Sequence, residues 1–348
     1  MKRHLLDQKY KLLRMLDDFA QSEGLSIKDE IASVKFIDRL SSTVQKQRSD
    51  PIHVHGFRVE SMFAHVAAAL GKSQIITEED SGVFFSSEED IRRPDFRLVT
   101  NEGEQLLIEV KNFRQKDPMD PFILRSRYLL NLKEYADVFK IALKIAIYWS
   151  LWKLWTLVDT THFTENSDFY ITLPEAMKRN EMNILGDHMV ATVPPLSLRL
   201  YADPNKPRSI EKSGQVHFTI RKAALLANGK EITDDFEKKL AWFFMLHGKW
   251  NEVDQPAEIK NGLLEYTEFR VSPEQYDKKQ GFAMLGFLSE LITSNYNFLT
   301  SPKGEILQLA PKQQPDNLCI LIPNDYKGKV LRLWRFHVKP NFEDLTTT

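Results

Sequence analysis

Residues 106–113, LLIEVKNF, set Glu109 and Lys111 inside an otherwise apolar run. A run of this length and composition reads as a core strand. An unpaired charge in a core costs several kcal/mol or is neutralised by a pKa shift. The two charges are therefore pinned by each other or placed there for chemistry. The segment just upstream constrains them further. Residues 95–99, DFRLV, are also strand-like, and a polar turn, Thr100-Asn101-Glu102-Gly103-Glu104, joins the two runs. A hairpin centred on Glu102 sets Asp95 opposite Glu109, Arg97 opposite Leu107 and Val99 opposite Gln105. Side chains alternate along a strand. Asp95, Glu109 and Lys111 then share one face, while Phe96, Leu98, Leu106, Ile108 and Val110 form a wholly apolar one. Slipping the register by one residue would push the charges into the core, so the pairing is well determined.

Opposed side chains stand about 4.5–5.5 Å apart at Cβ. Two carboxylates that close repel, and one takes up a proton. A divalent cation between them removes the conflict. Mg²⁺ prefers carboxylate oxygens and usually keeps waters and takes substrate phosphate as well. Lys111, on the same face, reaches a phosphate or a metal-bound water. Such equipment suits metal-assisted hydrolysis of a phosphodiester. The bland alternative is an ion-pair network on a solvent-facing sheet. Arg92, Arg93 and Arg97 border the site and are candidates for holding phosphates.

Pro94-Asp95, a short hairpin, then Glu109-Val110-Lys111 within an apolar strand resembles the PD-(D/E)xK nuclease superfamily, the restriction-endonuclease-like proteins. The resemblance covers roughly residues 56–149. It implies that Asp95 and Glu109 bind a catalytic Mg²⁺, which Mn²⁺ would replace, with the backbone carbonyl of Val110 as a further ligand. Lys111 would orient the attacking water and stabilise charge developing on phosphorus. Glu60, on the helix before the hairpin, is the candidate for an additional glutamate near the metal. Asn131-x-x-x-Tyr135 departs from the Gln-x-x-x-Tyr motif of some members, and no role is assigned to it. The implied fold of that stretch is α/β, a restriction-endonuclease-like mixed sheet flanked by helices; residue patterns on either side add an N-terminal helical hairpin and a C-terminal α+β domain. The implied activity is endonucleolytic cleavage of DNA, double-stranded, leaving a 5′-phosphate, in a setting such as restriction, phage defence or a mobile element. The alternative is a catalytically inactive module of the same fold that binds DNA or a protein partner.

Composition sets the outer limits. The chain has 348 residues, 42% hydrophobic and 27% charged, with a net charge of −1. That describes a soluble globular protein. It gives no overall basic field for nucleic acid, so a polyanion must be met by a local patch. One cysteine, Cys319, excludes an internal disulfide and a multi-cysteine zinc site. It fits a reducing cytoplasm. The start, MKRHLLDQKYKLLRML, lacks the continuous apolar run of a signal peptide. Residues 141–158 are the most hydrophobic, but Lys144 and Lys153 interrupt them, so core strands are expected there and no membrane contact.

Along the chain, three regions are expected: 1–50 helical, 51–165 the nuclease-like core, and 166–348 an α+β domain for target or partner recognition. Residues 3–22 read as a helix with Leu5, Leu12, Leu16 and Phe19 near one face, ended by Gly24. A second helix is expected from Ser26, with Ile27, Ile31, Val34, Ile37 and Leu40 aligned. This hairpin is expected to pack on the core, with a homodimer interface or a nucleic-acid arm as alternatives. A helix through Val59, Phe63, Val66 and Leu70 follows, then a strand or loop at 74–76 and an acidic loop. Asp120-Pro121 reads as a helix start, leading through Leu124, Tyr128, Leu132, Tyr135 and Phe139 to the strand LKIAIYW. Trp149, Trp152 and Trp155 read as packing. Hydrophobicity drops at 161–168. Beyond it, Val216, Phe218 and Ile220 should face inward, Asn228-Gly229 should turn a hairpin, and 236–247 and 282–292 should be helical. ILQL, LCILI and VLRLWRFHV should be strands. Basic residues between Lys206 and Lys222, namely Arg208, Lys212 and Arg221 with both ends, read as a solvated surface or a DNA-tracking strip. His53 and His55 form an HxH pair that would serve a hydrolase only after a barrel strand, which Pro51-Ile52 does not provide.

Overall fold

A computed structural model of the protein describes residues 1–4, 8–80, 84–87, 90–211 and 213–341. Leu5, Lys212 and parts of the acidic loop fall outside the described residues. Helices α1 (Gln8–Ser22), α2 (Glu30–Ser49) and α3 (Pro51–Ala69) come first, then strands β1 (Ser73–Glu78), β2 (Phe96–Thr100), β3 (Gln105–Phe113) and β4 (Phe122–Leu124). Next are α4 (Ser126–Phe139), β5 (Ala142–Trp149), β6 (Leu154–Asp159), β7 (Thr164–Glu165), β8 (Phe169–Ile171) and α5 (Leu173–Lys178). The remainder contains β9 (Met189–Thr192), β10 (Leu196–Ala202), β11 (Arg208–Ile210), β12 (Val216–Phe218), β13 (Ile220–Ala227) and β14 (Lys230–Glu231). It closes with α6 (Asp235–His247), β15 (Asn251–Glu252), β16 (Ala257–Lys260), β17 (Leu263–Ser272), β18 (Ala283–Phe287), α7 (Leu288–Thr300) and β19 (Leu333–Phe336). No described helix is long and apolar enough to cross a membrane.

The fold is α/β. Its first sheet is mixed, in the order β1-β2-β3-β5-β6, with β3 and β5 parallel and the other pairs antiparallel. The hairpin register is the one expected, Arg97 against Leu107 and Val99 against Gln105. One face packs on α3 through Val59, Met62, Phe63 and Val66, against Phe96, Leu98, Leu106, Ile108 and Val110. The other face is not open to solvent. Leu107, Ile145 and Ile147 lie buried there with Leu129 and Leu132 of α4. Parallel strands joined by a crossover are usually covered on both faces. Glu109 is consequently 2% exposed.

The larger core continues past β6. It includes Leu240 and Phe244 of α6 and Leu288, Leu291 and Tyr296 of α7. Trp155 donates its indole N–H to Thr293 Oγ1 at 2.9 Å, tying β6 to α7. Trp149 and Trp155 are core residues, whereas Trp152 is exposed. A second sheet, β14-β13-β10-β17-β15 with β16 on β17, forms the distal half. Its β13–β14 hairpin turns at Asn228-Gly229, both with positive φ, as expected for that dipeptide.

Several local expectations are corrected. The second helix begins at Glu30, not Ser26, because the Asp29 carboxylate accepts the Ser26 amide N–H at 2.8 Å and holds a turn. The stripe Ile31, Val34 and Ile37 is exposed rather than packed on the core. Asp120-Pro121 precedes a strand, since Phe122 and Leu124 turn inward and pair with β8. The helix waits until Ser126, whose N–H is capped by Asp168 Oδ1 at 2.8 Å. Residues 283–287 form β18 on β9 before α7 begins, and the Asp187 carboxylate caps α7 at Ser289 N, 2.9 Å. Residues 306–309 and 318–322 are coil, and only 333–336 of the last run is a strand. Ile220 is exposed, not inward. His53 and His55 lie on the exposed start of α3, where His53 pairs with Asp50 at 2.7 Å.

Candidate active site

The site forms where β2 begins and β3 passes between the two cores. Pro94 is buried and leads into Asp95, just ahead of β2. The Asp95 carboxylate reaches across to the neighbouring strand, and the Val110 N–H donates to its Oδ2 at 2.6 Å. Glu109, the residue before, projects to the α4 side. Its Oε1 accepts from both the Lys111 ammonium and the Tyr128 hydroxyl. Lys111 Nζ also lies 3.0 Å from Tyr128 Oη. Oε2 of Glu109 is buried and has no hydrogen-bond partner among the described residues. A buried carboxylate oxygen in that state is costly, and it marks a place where a proton or cation belongs.

A cavity of about 280 Å³ opens beside these groups, lined by Asp80, Phe84, Ile91, Arg92, Arg93, Asp95 and Glu109. The acidic groups feel one another. Burial, then the Glu109 charge, pushes the Asp95 carboxyl up to about 8. Burial and Glu109 also raise Asp80, and burial raises Glu60. Burial alone would lower the Lys111 ammonium, but Glu109, Tyr128 and Asp95 together raise it. Burial and the Glu109 charge hold the Tyr128 hydroxyl up at about 12. These surroundings favour the ammonium form of Lys111 and the protonated hydroxyl of Tyr128.

Asp95 and Glu109 line one cavity, and Lys111 pairs with Glu109 beside it. Glu60 sits on the flank of α3 and feels the charges of Lys111, Asp80 and Glu109 without lining the cavity. Arg92 and Arg93 line it. Arg92 stacks over the Tyr128 ring at 4.3 Å, and Arg93 donates to the Asp80 carbonyl at 3.0 Å. Arg97 does not line it. It pairs with Glu79 at 2.7 Å and lies over Phe139. Tyr135, of the Asn131-x-x-x-Tyr135 spacing, donates to that same Glu79 rather than to Glu109.

Tyr128 and Asp80 are the groups that residue patterns did not single out. Tyr128 appears in the sequence as one more member of the α4 seam, although a buried tyrosine hydroxyl usually needs a partner. Asp80 lies in an acidic loop with no period to aim it. Among the described residues, no three His, Cys, Asp or Glu side chains gather as a metal-binding group. The donor set is two carboxylates, one with a free buried oxygen, and the nearby backbone. That set fits a cation which binds through one or two carboxylates and completes its shell with water and phosphate.

No protein-family model matches this chain, and no curated protein does. Among solved structures it is similar to Hjc, a Holliday junction resolvase from the archaeal hyperthermophile Archaeoglobus fulgidus. The match has 18% identity, spans 29% of this chain and 76% of that one, and has a TM-score of 0.24. A likeness of that strength carries no argument about activity.

Proposed function

We propose that this protein is a divalent-metal-dependent endonuclease that hydrolyses DNA phosphodiesters, with Asp95, Glu109 and Lys111 as its catalytic residues. The observation that carries the reading is the unpartnered, buried Oε2 of Glu109 on a cavity that Asp95 also lines. Asp95, Glu109 and the Val110 carbonyl would hold Mg²⁺, or Mn²⁺ in its place, with Glu60 as a flanking acid. The bound cation would supply charge neutralisation and an acidified water. Glu109, Tyr128 and Asp95 favour the protonated form of Lys111, which would attract the phosphate, orient the attacking water and offset negative charge on phosphorus. Tyr128 orients Lys111 against Glu109. Arg92 and Arg93, at the cavity wall, would grip the backbone phosphates of duplex DNA. Residues 166–348 would supply target or partner recognition.

Cleavage of plasmid DNA with Mg²⁺, against EDTA and against Glu109→Gln and Lys111→Ala, tests the reading. Cutting by the parent and a loss of 10²-fold or more in each variant, on the scale of removing a catalytic acid or charge, is the expected result. Equal cutting by all three proteins would sink it, and so would no cutting under any divalent metal. A second reading, a non-cleaving DNA- or protein-binding module, is favoured by one observation: Lys111 and Tyr128 already occupy Oε1 of Glu109. It predicts DNA binding that neither Glu109→Gln nor EDTA changes.

A further inference from the structure

Two phenylalanines stand side by side at the rim of the candidate site. Phe84 lines the cavity with Asp95 and Glu109. Phe84 is 43% exposed, and Phe85, next along the chain, is 97% exposed. Apolar residues scattered singly on a surface need no account. An adjacent aromatic pair at the mouth of a charged cavity does, because Phe85 buries almost nothing in return for its place there. The pair is also held. The Arg93 guanidinium lies over the Phe84 ring at 4.6 Å and donates to the Asp80 carbonyl at 3.0 Å. The residues beside Arg93 are anchored in turn. The Arg92 N–H donates to the Asn131 carbonyl of α4 at 3.0 Å, and Asp90 pairs with Arg127 of the same helix at 2.7 Å. Phe84 is therefore tied to the wall that carries the carboxylates, and Phe85 stands in solvent beside it.

We infer that Phe85, with Phe84 as its support, stacks on an unpaired base of DNA, so that the favoured substrate is a duplex carrying an unpaired base beside the scissile phosphate. The inference rests on the proposed function for one thing, that DNA comes to this cavity. A phenyl ring offers a face that any base can cover, and such stacking does not read sequence. To enter an intact duplex the ring must first separate two stacked bases. Where a base is already unpaired, that cost is smallest. The same residue therefore selects by the structure of the DNA and not by its sequence. Charge agrees with this. A net charge of −1 gives the chain no general attraction to duplex DNA, so a stacked base adds binding that the two cavity arginines alone do not supply.

Binding of the full chain to three duplexes tests this, in Ca²⁺ to hold binding apart from cleavage. One duplex is fully paired, one carries a single extra adenine, and one carries an extra abasic sugar at the same place. The extra adenine should raise affinity about tenfold over the abasic duplex, since the two share a bent backbone and differ only in the ring. Phe85→Ala should remove that preference while leaving affinity for the paired duplex within about twofold of the parent. Phe85→Trp should keep it and Phe85→Leu should lose it, because leucine is apolar but has no flat face. Phe85 is almost wholly exposed, so these variants keep the fold. Equal affinity of the parent for the adenine and abasic duplexes overturns the inference, as does a preference that survives Phe85→Ala. Cleavage in Mg²⁺ is read on the same three duplexes. Cutting without any preference overturns this inference alone, whereas preferential binding without cutting sinks the hydrolytic reading and leaves the stacking in place.

Discussion

Lys111 Nζ and Tyr128 Oη stand 3.0 Å apart, and both donate to one oxygen of Glu109. This arrangement leaves the other oxygen for a ligand. In the proposed hydrolysis Tyr128 would be a positioning residue, since its hydroxyl contacts Lys111 and Glu109 rather than lining the cavity. Tyr128→Phe should lower kcat about 10-fold while leaving KM and Mn²⁺ affinity within about twofold, because only the orientation of the ammonium is lost. A melting experiment should show a loss of about 1 kcal/mol for the missing hydrogen bond. An unchanged kcat, or a collapse of metal binding, would remove Tyr128 from this role.

The Asp95 carboxyl, raised by burial and by Glu109 to about 8, would make the proposed cation binding pH-dependent. Its unfolded value is 3.8, so this group destabilises the fold as pH rises from about 4 to about 8. A cation must displace the Asp95 proton below that pH. Apparent Mn²⁺ affinity, measured by calorimetry, should therefore climb about tenfold per pH unit up to about 8 and then level off. Proton release on binding should fall along the same curve. Asp95→Asn should abolish the slope. A flat profile between pH 6 and 8 in the parent would contradict the coupling.

The hairpin and its charged trio were legible because strand alternation and a wholly apolar face leave one register, and the observed pairing of Arg97 with Leu107 is that register. Where a pattern has two physical outcomes, the sequence does not choose between them. Asp120-Pro121 can open a helix, but Phe122 and Leu124 gain more by pairing with β8 and turning inward. The Ile31–Val34–Ile37 period establishes that a face is apolar, not which surface covers it. Tyr128 carried no signal at all, because its partners are 17 and 19 residues away and only the crossover brings them together.

A buried ion pair in the same sheet offers a test of packing alone. Lys144 Nζ lies 2.9 Å from Glu181 Oε2 and 3.4 Å from Asp159. Removing Glu181 takes the closer of its two carboxylates from the buried Lys144 and leaves only the longer contact to Asp159. Lys144→Ala, which leaves Glu181 and Asp159 facing each other without the cation, should cost about 3–5 kcal/mol, and Glu181→Ala, which keeps the Asp159 contact, should cost less, as should Lys144→Met with Glu181→Leu. Chemical denaturation of the three variants checks this, and an equal loss in all of them would show that the charges are not the cause.

The three arginines near the site should separate by salt dependence. Arg92 and Arg93 line the cavity, while Arg97 is held by Glu79 and the Phe139 ring. Each phosphate contact contributes about 0.9 to the slope of log affinity against log salt for duplex DNA. Arg92→Ala and Arg93→Ala should each reduce that slope by about 0.9 and weaken binding at low salt in the presence of Ca²⁺, which supports binding without requiring cleavage. Arg97→Ala should leave the slope alone. It should instead destabilise the fold, because Glu79 would keep only its contact with Tyr135. The two readouts, a salt series and a melt, place each arginine on one side or the other. A slope that drops for Arg97→Ala and holds for Arg92→Ala would move the phosphate path away from the cavity, to the outer edge where β1 meets β2.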